Sequence, residues 1–132
     1  MLQRYGHLLG EPRYLAAAEG TLRAAWGELT RYPQSQGTLL TALEELLQPP
    51  QIVIIRGEGA AIAAWQQELA RLYAPRRIVL AVAAGIAGLP AALADKAAGS
   101  GVVAYLCQGN VCSAPIDSLG ALITQLREPA AP

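Results

Sequence analysis

The adjacent prolines Pro49-Pro50 end one kind of chain and begin another. Neither can donate a backbone hydrogen bond, and each disfavours the helical region for the residue before it, so no helix continues through them. Before them apolar residues recur at helical spacing. After them comes Gln51-Ile-Val-Ile-Ile55, a continuous β-branched run of the kind found in strands covered on both faces. Residues 1–50 are therefore read as helical and 51–128 as a small α/β segment. At 132 residues the two are taken as sub-structures of a single domain.

In the helical part, Met1 to Leu9 is a short apolar segment ended by Gly10, and Pro12 sits where a first helical turn tolerates it. Leu15, Ala18, Leu22, Ala25, Trp26 and Leu29 then keep helical spacing, which predicts one amphipathic helix of about five turns up to Tyr32-Pro33. A third helix is expected through Leu39, Leu40, Leu43, Leu46 and Leu47. Beyond the prolines, Gly57-Glu58-Gly59 turns into a helix from Ala60 to Tyr73, and Arg77-Ile-Val-Leu-Ala-Val82 is a second buried strand. Residues 51–82 thus form a βαβ unit with parallel strands. A short helix near Leu89 to Lys96 follows. A final helix, N-capped by Asp117, carries Leu119, Leu122, Ile123 and Leu126, and Glu128-Pro-Ala-Ala-Pro132 is expected to fray.

Both cysteines fall in the hairpin signal between these last two helices. Val102, Val103 and Tyr105 run into Gly109-Asn110, a dipeptide suited to a two-residue reversal. With those two as the loop, Gln108 faces Val111 and Cys107 faces Cys112. That second pair is a non-hydrogen-bonded one with Cα atoms about 4.5 Å apart, inside the ~4.4–6.8 Å range a disulfide accepts. The fold class is therefore α/β. An N-terminal helical hairpin packs on a small mixed sheet with one parallel βαβ unit and a C-terminal β-hairpin followed by a helix.

Charge and cysteine usage narrow the function. Ten basic and ten acidic residues are spread along the chain with no basic stripe, which argues against a nucleic-acid surface. The uncharged stretch Ile78 to Ala94 approaches the ~17–25 residues of a membrane span. Gly85, Gly88 and Pro90 divide it, so a strand, a loop and a short helix are expected instead. Two cysteines are too few for a disulfide scaffold and no signal-peptide pattern opens the chain, so a cytoplasmic protein is the simplest reading. The lone His7 cannot complete a zinc site with the two cysteines, and neither a metal nor a cofactor is called for.

Several stretches together resemble a known family. Ile52-Val-Ile-Ile-Arg-Gly57, Arg76-Arg-Ile-Val-Leu80 and above all Tyr105-Leu-Cys107, four residues, Cys112-Ser-Ala-Pro115-Ile-Asp117 are similar to the C-terminal end of the thioredoxin-domain-containing family of spermatogenesis-associated protein twenty-like proteins. In that family a thioredoxin-like domain comes first, a helical toroid similar to the N-acylglucosamine epimerases follows, and a small α/β segment closes the chain. The resemblance implies that Met1 to Gln48 corresponds to the last toroid helices and Gln51 to Arg127 to the closing segment. The thioredoxin-like domain and most of the toroid have no counterpart here, so neither thioredoxin nor sugar-isomerase activity carries over. Gly109 departs from the bulkier polar residue that members often carry.

Four candidate sites follow from the residues. Cys107 and Cys112 are read either as a reversible redox pair or as two small half-buried hydrophobes, the latter favoured because free cysteine is so often buried. Gly57 and Gly59 follow a strand and open a helix as phosphate-cradling turns do. Ile62 stands where a third glycine would fall, however, and no carboxylate occupies the ribose position, so an ordinary βα turn is favoured. His7 has the unperturbed pKa of a general base but only Glu11 and Glu19 as nearby acids in sequence, and is read as structural. Trp26, Trp65, Tyr14 and Tyr32 would line a sugar pocket or, at helical spacing, a core or interface. The function expected is a non-catalytic interaction module whose partner is either a second copy, met through the N-terminal helices, or the upstream domains of a longer protein. Redox chemistry at Cys107/Cys112 and small-ligand binding at the C-terminal ends of the parallel strands are the alternatives.

Overall fold

The computed structural model describes residues 1–127, so the tail expected to fray, Glu128 to Pro132, lies outside the described residues. The chain divides at the double proline into two compact units, one of Met1–Pro50 and one from Gln51 onwards.

The first unit is all helix: α1 (Leu2–Leu9), α2 (Pro12–Ala24), α3 (Trp26–Arg31), a 3₁₀ turn at Pro33–Ser35 and α4 (Gly37–Leu47). Gly10 ends α1 in the left-handed region, at φ 67°, with its N–H donating to Gly6 O. The single helix expected from Pro12 to Tyr32 is instead two. Ala25 leaves helical geometry at φ −88°, ψ 1°, between Gly20 and Gly27, residues that each cost a helix about 1 kcal/mol relative to alanine. In α4 the buried residue is Glu45, at 2 % exposure, while Leu40, Leu46 and Leu47 face solvent.

The second unit is a four-stranded mixed sheet in the order β2-β1-β3-β4, with β1 at Gln51–Gly57, β2 at Arg77–Ala83, β3 at Val103–Gln108 and β4 at Val111–Cys112. β1 pairs parallel with β2 and antiparallel with β3. This is the α/β architecture expected, with α5 (Gly59–Ala70) linking the parallel strands and α7 (Leu119–Arg127) following the hairpin. α5 stops three residues short of Tyr73, with Arg71 as its C-cap. The short α6 spans Ala91–Ala94.

Alternation fixes which side chains meet. Val53 and Ile55 of β1 and Ala104 of β3 share one face and pack with Ile62 and Leu69 of α5 and Leu122 and Leu126 of α7, the principal core. Ile52, Ile54 and Arg56 take the other face. β1 is buried from Ile52 to Gly57 as a doubly covered strand should be. β2 is a correction: it was expected to be buried, but as an edge strand it buries only Val82 and leaves the rest half-buried. The stretch Ile78 to Ala94 is strand, loop and short helix, and among the described residues no helix is long and apolar enough to cross a membrane.

Candidate functional site

The hairpin forms in the expected register, with Gln108 opposite Val111 and Cys107 opposite Cys112. Gly109 takes φ 59°, the left-handed conformation its place in the turn needs. The two cysteines are joined as a disulfide with Cα atoms 4.0 Å apart. Cys107 is buried in the sheet and Cys112, on the short β4, is exposed, so the bond joins a buried residue to an exposed one. Beyond β4 the pairing continues by other means. The Ser113 N–H donates to Leu106 O at 2.8 Å, and the Leu106 N–H donates to Ser113 Oγ at 3.1 Å. Ile116 then exchanges two 2.8 Å backbone bonds with Ala104, a contact beyond the hairpin that the sequence reading did not foresee.

The other residues of the Tyr105–Asp117 pattern have structural places. Tyr105 shares the Cys107 face, donates its hydroxyl to Ala97 O at 2.9 Å and carries the Lys96 ammonium 5.8 Å from its ring centre. Pro115 and Asp117 are exposed on either side of the buried Ile116. Asp117 does not cap α7 as expected. Ser118 does, since its carbonyl accepts from the Leu122 N–H at 3.0 Å and its hydroxyl from the Ala121 N–H at 3.4 Å.

Gly57 and Gly59 lie at the opposite end of β1, roughly 17 Å from the cysteine pair at about 3.3 Å per residue, so these two candidates are not one site. A Cβ on Gly57 would stand 3.1 Å from the Val102 Cα, and Gly59 takes φ 54° with open space where a Cβ would be. Gly57 is thus fixed by the close approach of another backbone and Gly59 by its own conformation. α5 begins beside them with no side-chain cap and no acidic residue in its first turn. Between strand and turn is Arg56, buried to 6 % exposure, which the sequence reading passed over. Its signal was a charge at the end of a run otherwise covered on both faces.

In the helical unit the acid whose charge acts on His7 is Glu45 of α4, and neither Glu11 nor Glu19. Glu45 accepts from Arg4 Nε at 2.7 Å, and Gln3 and His7, one turn apart on α1, are buried at Nε2 and Nδ1 with no hydrogen-bond partner among the described residues. Burial holds the His7 imidazole below its ordinary pKa, and the Glu45 charge offsets part of that shift. The unfolded chain therefore takes up a proton near pH 6.5 before the folded one does. Stability should be intact above that pH and fall as the pH drops from it toward the folded pKa. Urea midpoints near pH 7.5 and pH 5.5 measure this fall, and His7→Gln should reduce it; an unchanged slope in the variant would show that other groups carry it.

Elsewhere in this unit α2, α3 and α4 leave a groove of about 340 Å³ lined by Leu22, Trp26, Leu43 and Leu46, together with Glu19 and Arg23. Trp26 is 53 % exposed and Leu47 73 %. The remaining aromatics are dispersed: Trp65 packs on the sheet core, Tyr32 is exposed, and Tyr14 stacks under the Arg13 guanidinium at 5.0 Å. Among the described residues no group of histidine, cysteine and carboxylate side chains is placed to hold a metal. Comparison with family models, curated proteins and solved structures finds no match to this chain.

Proposed function

We propose that this chain is a non-catalytic interaction module, the counterpart of the C-terminal end of the thioredoxin-domain-containing, epimerase-toroid-like proteins it resembles. The observation that carries this reading is the inverted helix α4, which buries Glu45 and leaves Leu40, Leu46 and Leu47 exposed, with Leu46 lining one groove with the exposed Trp26. A contiguous apolar surface around a groove is costly in water and is characteristic of a face that meets another protein. Exposed tryptophans near the centre of such faces commonly dominate the binding energy. Helices drawn from a toroid would carry apolar faces of this kind for their neighbours. A second copy of the chain is the simplest occupant, meeting the first across a two-fold axis.

Sedimentation at micromolar concentration is the test. The wild-type chain should show a concentration-dependent dimer, and Trp26→Glu should weaken it at least about tenfold. A wild-type chain that stays a monodisperse monomer, with no heavier species as concentration rises, overturns the homodimer.

The exposed position of Cys112 favours a second reading, reversible dithiol–disulfide chemistry. A thiolate from a small-molecule or protein dithiol attacks the bond, and its own second thiol completes the exchange. The donor leaves as a disulfide and Cys107 and Cys112 as two thiols. A cytoplasmic setting, which the sparse cysteines support, would supply such reductants.

A further inference from the structure

Arg56 is the only buried charge among the described residues of the second unit. It stands opposite Val82 on one side and Val103 on the other, so its strand neighbours are apolar. Of its five N–H donors, only Nη2 finds an acceptor among the described residues, the Ala84 carbonyl at 3.5 Å, the long limit of a hydrogen bond. Nε and Nη1 are buried and meet none. A guanidinium cannot escape by losing its proton, and a buried cation without acceptors is strongly disfavoured. The group is chemically incomplete as it stands.

Its position says what would complete it. Arg56 sits at the carboxyl end of the parallel β1–β2 pair, where open α/β sheets take their ligands. The Ala84 N–H bonded to Gly57 O at 2.9 Å ties the two strand exits together there. Gly59, Gly85 and Gly101 surround this edge, and a Cβ on any of them would meet nothing within 4 Å. The 12-residue α5 begins three residues along the chain but packs on the Val53 and Ile55 face, opposite the one Arg56 takes, so the guanidinium is the principal donor at this edge.

We propose that Arg56 anchors an oxyanion site at this edge and takes the phosphate group of a small ligand. Phosphate is a group whose oxygens accept the paired, forked donors of a guanidinium. The site lies wholly within the second unit and is independent of the interaction face proposed for the first. Either can fail while the other stands.

The test is a titration of the full chain with inorganic phosphate, followed by amide and arginine Nε–H NMR and by thermal unfolding. Sodium chloride and sodium acetate at matched ionic strength are the controls. Saturable shifts are expected at Arg56 Nε–H, Gly57, Gly59 and Ala84, with a phosphate-specific rise in Tm of about 3 °C. Arg56→Met, which keeps length and removes the donors, should weaken phosphate binding at least about tenfold, and Arg56→Lys should retain part of it. The proposal is overturned if wild-type chain shows no saturable shift at millimolar phosphate, if acetate reproduces the same shifts, or if Arg56→Met binds as wild type does. Should Arg56→Met fail to fold, the wild-type titration decides alone, through whether Arg56 Nε–H moves.

Discussion

Leu122→Ala should destabilise the second unit by about 3 kcal/mol, within the ~2–5 kcal/mol typical of large-to-small changes in a core. Leu122 is fully buried, at 0 % exposure, where α7 meets Val53, Ile55 and Ala104 of the sheet and Ile62 and Leu69 of α5. Removing its terminal carbons takes apolar surface out of the one cluster that joins two helices to one face of the sheet. The cavity left behind is bounded largely by strand residues held by backbone pairing, which relax little. A unit of some eighty residues has roughly 4–12 kcal/mol of total stability at ~0.05–0.15 kcal/mol per residue, so the substitution removes a large fraction. Amide exchange of the β1 and β3 N–H groups in a urea series reads this unit apart from the helical one. Gln125→Ala, on the exposed side of the same helix, should change stability by less than about 0.5 kcal/mol. Equal effects of the two substitutions would mean that α7 is not part of the core.

The same packing explains what the sequence could and could not disclose. Strands announce themselves locally: Ile52 to Ile55 is β-branched without interruption, and Gly109-Asn110 pins the hairpin register by turn chemistry alone. Helical spacing likewise marks the helices, but spacing does not say which face looks inward. In α4 the leucine stripe suggests an apolar interior, while the structure buries Glu45 because Arg4 of α1 reaches it. Nothing local to residues 37–47 carries that partnership. The break at Ala25 is similar: the apolar spacing runs straight through it, and only the helix-weakening glycines on either side hint that the chain turns. Arg56 was legible as a charge out of place in a buried run, but its missing acceptors are a matter of three-dimensional surroundings. Ile116 was invisible as a sheet residue, because a single bridge leaves no periodic pattern.

Reducing the Cys107–Cys112 bond should cost the second unit roughly 2 kcal/mol, the chain-entropy value for so short a loop. The native chain should show no titratable thiol without reductant and two with it. β4 is only two residues long, and its partner pairs are Cys107↔Cys112 and Gln108↔Val111, so the covalent bond is a large share of what holds it to β3. Opening it should leave the core of Val53, Ile55 and Leu122 in place, since Ile116 is fastened independently to Ala104 by two 2.8 Å bonds. The loss should therefore be local. The Leu106 N–H, bonded to Ser113 Oγ, should exchange faster with solvent, while N–H groups between β1 and β2 keep their protection. Such an outcome would expose part of the β3 edge when the pair is reduced and cover it when oxidised, which gives the second functional reading a structural consequence. Two free, unreactive thiols in the native protein would sink that reading. So would a Cys107→Ala, Cys112→Ala double variant as stable as the oxidised chain and with unchanged exchange at Leu106, since the bond would then hold nothing.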